Sequence, residues 1–159
     1  MVDIVDENDV IIARVSRKEM RQGRLRHRSV FVLVRSPDGK VLIHKRSQEK
    51  DLWPGWWDIA VGGVVASGEA YDDAARRELW EEMGIDAAPV AIGEGSFEDH
   101  DVALIARCYE VLYSGDVRPQ DGEVAEFRWV DPAVLAELVR TQSFLPDSLA
   151  LLGQRLFAD

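Results

Sequence analysis

The chain has 159 residues and a formal net charge of −10, because 29 aspartates and glutamates outnumber 19 lysines and arginines. This charge argues against a nucleic acid polymer or an anionic membrane as partner, since the long-range electrostatic term is repulsive. A single cysteine, Cys108, excludes an internal disulfide and a cysteine-rich zinc site. The length suits one domain over 1–159, and the sequence lacks a signal-peptide pattern and any apolar run near ~20 residues. We therefore expect a cytoplasmic protein without membrane attachment.

The N-terminal part predicts a hairpin followed by a basic segment. Residues 3–15 alternate around the polar turn Glu7-Asn8-Asp9, which indicates two short strands. Residues 14–28 then carry six arginines, one lysine and His27 in a chain that is otherwise acidic. Two interpretations stay open for this segment: a phosphate-facing arm, or a solvated helix and loop.

A second hairpin and a tryptophan-rich loop come next. Ser29–Arg35 and Lys40–Arg46 predict strands around the turn Ser36-Pro37-Asp38-Gly39. The loop DLWPGWW, 51–57, contains three of the five tryptophans and precedes a predicted strand at Asp58–Val61. These tryptophans are typical of packing, although a stacked base or a buried apolar group would use the same residues.

The segment 69–83 predicts a helix with an unusual distribution of charge. Ala70 to Met83 contains no proline or glycine, and Gly84 is suited to a left-handed C-terminal cap. At ~100° per residue, Ala75, Leu79 and Met83 form an apolar stripe. Three glutamates lie on one flank of this stripe, at ~20° (Glu82), ~60° (Glu78) and ~120° (Glu81) from Ala75.

Such a cluster needs a positive partner, because like charges three and four residues apart repel and buried unpaired carboxylates are costly. Arg77 alone cannot neutralise three carboxylates. A solvated acidic face is the ordinary explanation for glutamates on a helix. Divalent cations with oxygen ligands are the alternative that the surrounding residues favour.

The C-terminal half predicts further strands and two helices. We expect strands at Ala87–Phe97, Val102–Tyr113 and Val124–Val130, with acidic loops at 98–101 and 115–123. Two helices follow at 132–140 and 146–156, each with a proline in its first turn. The pattern predicts an α/β protein in which helices cover both faces of a mixed β-sheet.

The residues around the helix match a known motif at each of its defining positions. The chain resembles the Nudix hydrolases, and the motif, the Nudix box over 63–85, comprises Gly63, Glu69, Arg77, Glu78, Leu79, Glu81, Glu82, Gly84 and Ile85. The resemblance implies an α/β/α sandwich in which a loop-helix-loop motif forms the catalytic site. It also implies a Mg²⁺- or Mn²⁺-dependent attack of water on a phosphorus of a nucleoside diphosphate linked to another group.

The resemblance also implies roles for particular residues. Glu78, Glu81 and Glu82 are expected to bind the metal, with the carbonyl of Gly62 as a further ligand. Arg77 and Glu69 would orient the glutamates, and the general base is left open between the box glutamates Glu81 and Glu78 and the loop residues Glu123 and Glu98. Three residues are candidates for substrate binding: Arg46, Arg28 and Trp57. The expected partner is a small-molecule diphosphate, and a homodimer stays open as an alternative to a monomer.

Two alternatives to a hydrolase remain. The segments RLRHRSVFVLV, KRS and LWPGWWDIAVGG resemble isopentenyl-diphosphate isomerase. That enzyme has a cysteine before the box glycine and a metal-binding histidine after it, where this chain has Gly62 and Val64. The second alternative is a catalytically silent nucleotide-binding Nudix domain, although such domains usually lose box glutamates and this chain retains all of them.

Overall fold

A computed structural model describes residues 1–157, so the last two residues of the predicted domain lie outside the described part. Nine strands and four helices are present in residues 1–157. They are β1 Val2–Val5, β2 Ile11–Val15, α1 Arg17–Gln22, β3 His27–Arg35, β4 Val41–Arg46, β5 Trp57–Asp58, β6 Val61–Val64, α2 Tyr71–Met83, β7 Val90–Glu98, β8 Ala103–Leu112, β9 Val124–Val130, α3 Pro132–Thr141 and α4 Pro146–Phe157.

Strand β3 is the centre of a mixed sheet. It runs parallel to β8 along its whole length, from His27 opposite Leu104 to Arg35 opposite Leu112. It is antiparallel to β6 from Ser29 to Val32. Strand β8 also pairs with β7, and β4 pairs with β5 and β9, all antiparallel. The predicted mixed sheet is confirmed.

Alternation along β3 divides the hydrophobic core into two layers. Val30, Val32 and Val34 face α2 and pack with its buried residues. The intervening side chains, Phe31 and Leu33, face the opposite way and pack with residues of α3 and α4. Successive side chains of a strand point to opposite faces, so one strand supplies both cores. Helices therefore cover both faces, which confirms the predicted α/β/α sandwich.

Helix α2 begins two residues later than the sequence predicted. Ala70 is its N-cap, with extended backbone and no side-chain capping bond. Glu69 instead remains in the preceding loop, where its Oε1 accepts a hydrogen bond from the N–H of Ala66. At the other end, Gly84 has φ of 66°, and its N–H donates to the carbonyl of Trp80. The left-handed stop that the sequence predicted is confirmed.

The strand predicted at Asp58–Val61 is wrong in its bounds, because the chain bends there. Asp58 ends β5, and β6 begins only at Val61. The Oδ1 of Asp58 accepts the N–H of Ala60 at 3.0 Å, and this local bond favours a bend over a continuous ladder. The other predicted elements agree with the structure to within three residues at each end. No helix among residues 1–157 is long and apolar enough to cross a membrane.

Candidate active site

The glycine pair of β6 lies directly against α2. The N–H of Gly62 donates to Oε2 of Glu82 at 3.2 Å. A Cβ on Gly63 would clash with the carboxylate of Glu78, and a Cβ on Gly62 would clash with the carbonyl of Val30. Both positions therefore require glycine for the backbone to pass between β3 and the glutamates.

Arg77 connects the loop before α2 to the glutamates on the helix. Its Nε and Nη2 donate to the two oxygens of Glu69 at 2.7 and 2.9 Å. Its Nη1 donates to Glu78 at 2.9 Å and to Glu81 at 3.2 Å, and Nη2 also reaches the carbonyl of Val64. The two orienting residues inferred from the motif, Arg77 and Glu69, are thus in direct contact.

Glu82 is buried without a cationic partner among residues 1–157. Only 3% of the residue is exposed, and its nearest basic group is Nε2 of His44 at 4.0 Å. Burial lowers the pKa of His44 to about 3, and Arg46 and Lys50 add to this, so the imidazole is neutral at pH 7. Burial and then the charge of Glu78 raise the pKa of Glu82 well above its ordinary value. This carboxyl group lacks the positive charge that its ionised form requires.

Glu78 and Glu81 lie closer to solvent along the same flank of α2. Glu78 is 8% exposed, and burial raises its pKa to about 7 although Arg77 acts in the opposite direction. The side chain of Glu81 is 40% exposed. The three predicted metal ligands therefore form one row that runs from the interior to the surface.

The glutamate oxygens are not gathered as closely as in a formed metal site. Among residues 1–157, ligand atoms of Glu78, Glu81 and Glu82 do not all lie within 4.8 Å of one another, and Arg77 lies between Glu78 and Glu81. Such a close group does occur at Asp99, His100 and Asp101 in the turn between β7 and β8. That turn is a surface feature that includes the exposed His100, and exposed acidic groups of this kind are common without an ion.

The two loop glutamates considered as general bases lie in different places. Glu123 binds Nζ of Lys50 at 2.9 Å, and its charge contributes to the raised pKa of Glu78. Glu123 is therefore close enough to Glu78 for its charge to act on that carboxyl group. Glu98 forms ion pairs with Arg24 and Arg26 instead. It has no contact with the row among the described residues.

The structure separates the three predicted substrate-binding residues. Arg46 lines a cavity beside the glycine pair, and its Nε and Nη2 donate to the carbonyl of Leu52. Arg28 is bound to Asp9 at 2.7 Å, on the face of β3 opposite this cavity. Trp57 is 7% exposed and stacks on Phe144. Of the three, only Arg46 lines the cavity beside the glycine pair.

The cavity contains polar residues that sequence reasoning did not select as site residues. It lies beside β6, with Gly62 and Gly63 forming part of its wall. Its other lining residues come from several separate segments of the chain: Arg17, Arg21, His27, Ser29, Phe31, Arg46, Lys50, Leu52, Trp53, Asp58, Val64, Val102, Leu104, Leu145 and Asp147. The basic segment contributes only Arg17, Arg21 and His27, so most of its arginines do not face the cavity.

Two buried carboxyl groups of the cavity, Asp58 and Asp147, have no sequence signal of their own. An aspartate in the first turn of a helix, such as Asp147, is an ordinary feature. Burial raises the pKa of Asp58, and burial followed by the charge of Asp58 raises the pKa of Asp147 to about 7. Arg46 acts on both of these groups and on Glu82. The positive charge of Arg46 therefore favours the ionised form of all three carboxyl groups.

Comparison with known proteins shows one family in both sequence and fold. The sequence model of the NUDIX domain matches residues 25–151. An uncharacterized Nudix hydrolase of Yersinia pestis is 40% identical over 153 residues, which cover 96% of this chain and 83% of the relative. The uncharacterized Nudix hydrolase YfcD of Escherichia coli is 38% identical over 153 residues, with 96% and 84% covered. The crystal structure of DR0079 from Deinococcus radiodurans superimposes with a TM-score of 0.79 and 28% identity, covering 98% of both chains.

Proposed function

The chain belongs to the Nudix hydrolase family, and on that basis we propose that it is a divalent-metal-dependent pyrophosphohydrolase. The substrate is a nucleoside diphosphate linked to another group, and water attacks a phosphorus of the diphosphate. The observation that carries this proposal is the carboxyl group of Glu82, which is buried next to two further glutamates and has no cationic partner within the described part of the chain.

The residues present fit Mg²⁺ or Mn²⁺. Both ions prefer oxygen ligands, and Glu78, Glu81 and Glu82 supply only oxygens. These three residues would hold the ion, with the carbonyl of Gly62 as a further ligand. A bound divalent ion neutralises phosphoryl oxygens and lowers the pKa of water.

The other residues of the site orient groups and move protons. Arg77, bound through two nitrogens to Glu69, fixes the positions of Glu78 and Glu81. Glu123 is the loop glutamate that the geometry favours as general base, since its charge acts on Glu78, whereas Glu98 pairs with Arg24. Arg46 has a carbonyl but no carboxylate as partner among the described residues, which leaves its charge for a phosphate.

The cavity gives no support to an isomerase. Gly62 and Val64 line it at the positions where the isomerase has a cysteine and a histidine. The cysteine of this chain, Cys108, lies on β8 within the hydrophobic core. Among the residues that line this cavity, the cysteine that the isomerase uses for proton transfer to the alkene is therefore absent.

A panel of nucleoside diphosphate derivatives tests the proposal. We expect cleavage of at least one compound with Mg²⁺ or Mn²⁺, release of a phosphorylated product, and loss of cleavage with a chelator. Equal rates in metal-free buffer would refute the metal requirement. Binding without cleavage of any compound would identify a silent nucleotide-binding domain instead.

Glu82→Gln tests the role of the glutamate row. We expect turnover to fall by at least ~10²-fold, as for an essential metal ligand or acid–base group. The apo variant should be no less stable than the apo wild type, because glutamine replaces a buried ionisable group and has similar helix propensity. We expect the same two results, reduced turnover and unreduced apo stability, for Glu78→Gln.

Asp73→Asn is the matched control on the same helix. Asp73 is exposed in the first turn of α2 and lies about 180° from Glu82. Turnover should change little, with a small loss of stability at the helix N-terminus. Wild-type turnover in Glu82→Gln, or an inactive Asp73→Asn, would show that the glutamate row is not the metal site.

A further inference from the structure

The cavity beside the glycine pair has two chemically different ends. Its outer residues are accessible to solvent, and four of them are cations: Arg17, Arg21, Arg46 and Lys50. We call these four the cationic mouth. Its inner polar residues are buried, with 1% exposure for His27, 5% for Asp58 and 6% for Asp147. We call these three the inner end.

The cationic mouth is suited to an anionic group. Arg17 and Arg21 share one carboxylate, Asp51, and Lys50 binds Glu123. Arg46 has no carboxylate partner among residues 1–157, so the mouth as a whole is positive in a chain of net charge −10. Diphosphate oxygens bound next to the glutamate row would meet these cations first.

The inner end presents a hydrogen-bond acceptor at His27. The Nδ1 of this ring lies 3.0 Å from the carbonyl oxygen of Leu25. A carbonyl only accepts, so Nδ1 carries the hydrogen. Burial lowers the pKa of His27 to about 4, and the ring is therefore neutral at pH 7. The remaining nitrogen, Nε2, is then an acceptor, and no hydrogen bond to it occurs within the described chain.

The carboxyl groups of the inner end add further acceptor oxygens. Asp58 accepts the N–H of Ala60 and Asp147 accepts the N–H of Ser148, both through Oδ1. Neither forms an ion pair with a cation in residues 1–157. Burial raises the pKa of Asp147 to about 7, so this group is largely uncharged below that pH and does not require a cationic ligand. The surrounding walls are apolar and come from β3, from β8 with the residue before it, and from the segment before α4: Phe31, Val102, Leu104 and Leu145.

We propose that the inner end is the subsite for the group attached to the diphosphate, and that this group is neutral and bears hydroxyl or amino donors. One of these donors binds Nε2 of His27, which makes His27 a specificity-determining residue. The proposal rests on the hydrolase function proposed above. An alkyl group would leave the acceptors of the inner end unpaired, and an anionic group would be repelled by them.

Binding to four compounds in Mg²⁺ tests this subsite. ADP-glucose and TDP-glucose carry donors, isopentenyl diphosphate carries an alkyl group, and inorganic pyrophosphate carries no group. We expect the wild type to bind at least one sugar nucleotide ~10-fold or more tightly than isopentenyl diphosphate, measured by calorimetry. Preference for ADP-glucose over TDP-glucose would assign the donor to the base amino group, and equal binding would assign it to sugar hydroxyls.

His27→Phe should remove this preference and leave the affinity for pyrophosphate unchanged. His27→Gln, which restores an acceptor near the position of Nε2, should recover part of the preference. His100→Gln is the control, since His100 lies on an exposed turn away from the cavity. Melting curves establish that each variant is folded.

Two results would overturn the subsite. One is isopentenyl diphosphate binding as tightly as both sugar nucleotides. The other is His27→Phe weakening pyrophosphate as much as the sugar nucleotides. Failure of the proposed hydrolase function can be distinguished from failure of the subsite. It would appear as selective binding of the sugar nucleotides without cleavage of any compound.

Discussion

Asp147 is a buried carboxyl group whose ionisation opposes folding. Its ordinary pKa is 3.8, and burial raises this pKa to about 7 in the folded chain. Between these two values the unfolded chain binds fewer protons than the folded chain, so this group lowers stability as pH rises. Above about pH 7 both states are ionised and the loss is complete.

Asp147→Asn should therefore stabilise the protein in a pH-dependent manner. The difference in unfolding free energy between variant and wild type should grow from about pH 4 to about pH 7 and then stay level. Urea denaturation across this range measures it. A difference that is the same at pH 4 and pH 8 would show that Asp147 does not titrate between them.

Cys108 should have no part in the chemistry. The residue is 4% exposed and lies on β8, where it pairs with Phe31 of β3. Burial raises the pKa of its thiol to about 11. Such a thiol is a small core side chain and not a nucleophile. Cys108→Ala should keep turnover within a few-fold of wild type, with a modest loss of stability from packing. A loss of roughly a hundredfold in a folded variant would restore a thiol mechanism.

At the level of single elements, Arg77 fixes α2 against the loop before it. Lysine keeps the charge but cannot form the two parallel bonds to Glu69 while also reaching Glu78. We expect Arg77→Lys to reduce the unfolding free energy by about 1 kcal/mol or more in urea denaturation.

Arg76→Lys is the matched control one residue earlier. Arg76 is more than half exposed and pairs only with the exposed Asp86 among the described residues. Exposed pairs of this kind contribute about 0–1 kcal/mol, so the change should be small. Equal losses in the two variants would show that the contacts of Arg77 do not hold α2 in place.

The sequence predicts α2 well because the signals for this helix lie within the helical segment itself. The apolar stripe of Ala75, Leu79 and Met83 is fully buried as expected, and Gly84 ends the helix. The helix begins two residues later than predicted, because the side chain of Glu69 accepts a hydrogen bond from the loop before it. Helix propensity alone does not predict such a bond.

The cavity could not be predicted in the same way, because it is assembled from residues distant in sequence. Asp147 and His27 are separated by more than a hundred positions and meet only through the order of the strands. Parallel pairing of β3 with β8 has no local signal. Trp57 is conspicuous in the sequence, and the sequence makes it a candidate for substrate binding. In the structure its ring stacks on Phe144, a contact between residues far apart in the chain that the sequence does not predict.

For the molecule as a whole, metal binding should raise thermal stability. An ion that binds only the folded state stabilises it by mass action, about 2.7 kcal/mol at 100 times its Kd. Adding Mg²⁺ or Mn²⁺ should raise the Tm of the wild type, and a chelator should reverse the increase. Glu82→Gln should show a smaller increase. Identical increases in both proteins would place the ion elsewhere, for which the turn at 99–101 is the candidate.

The bond between Gly62 and Glu82 also provides a spectroscopic probe. The Gly62 amide proton points at the carboxyl oxygen of Glu82, 3.2 Å from nitrogen to oxygen. Its NMR chemical shift depends on the charge of that oxygen, since hydrogen bonds to ionised acceptors are stronger. Glycine amide signals are few here, with 12 glycines in the chain. Following this one resonance during titration with acid or Mg²⁺ would report the state of Glu82 directly, before any substrate has been identified.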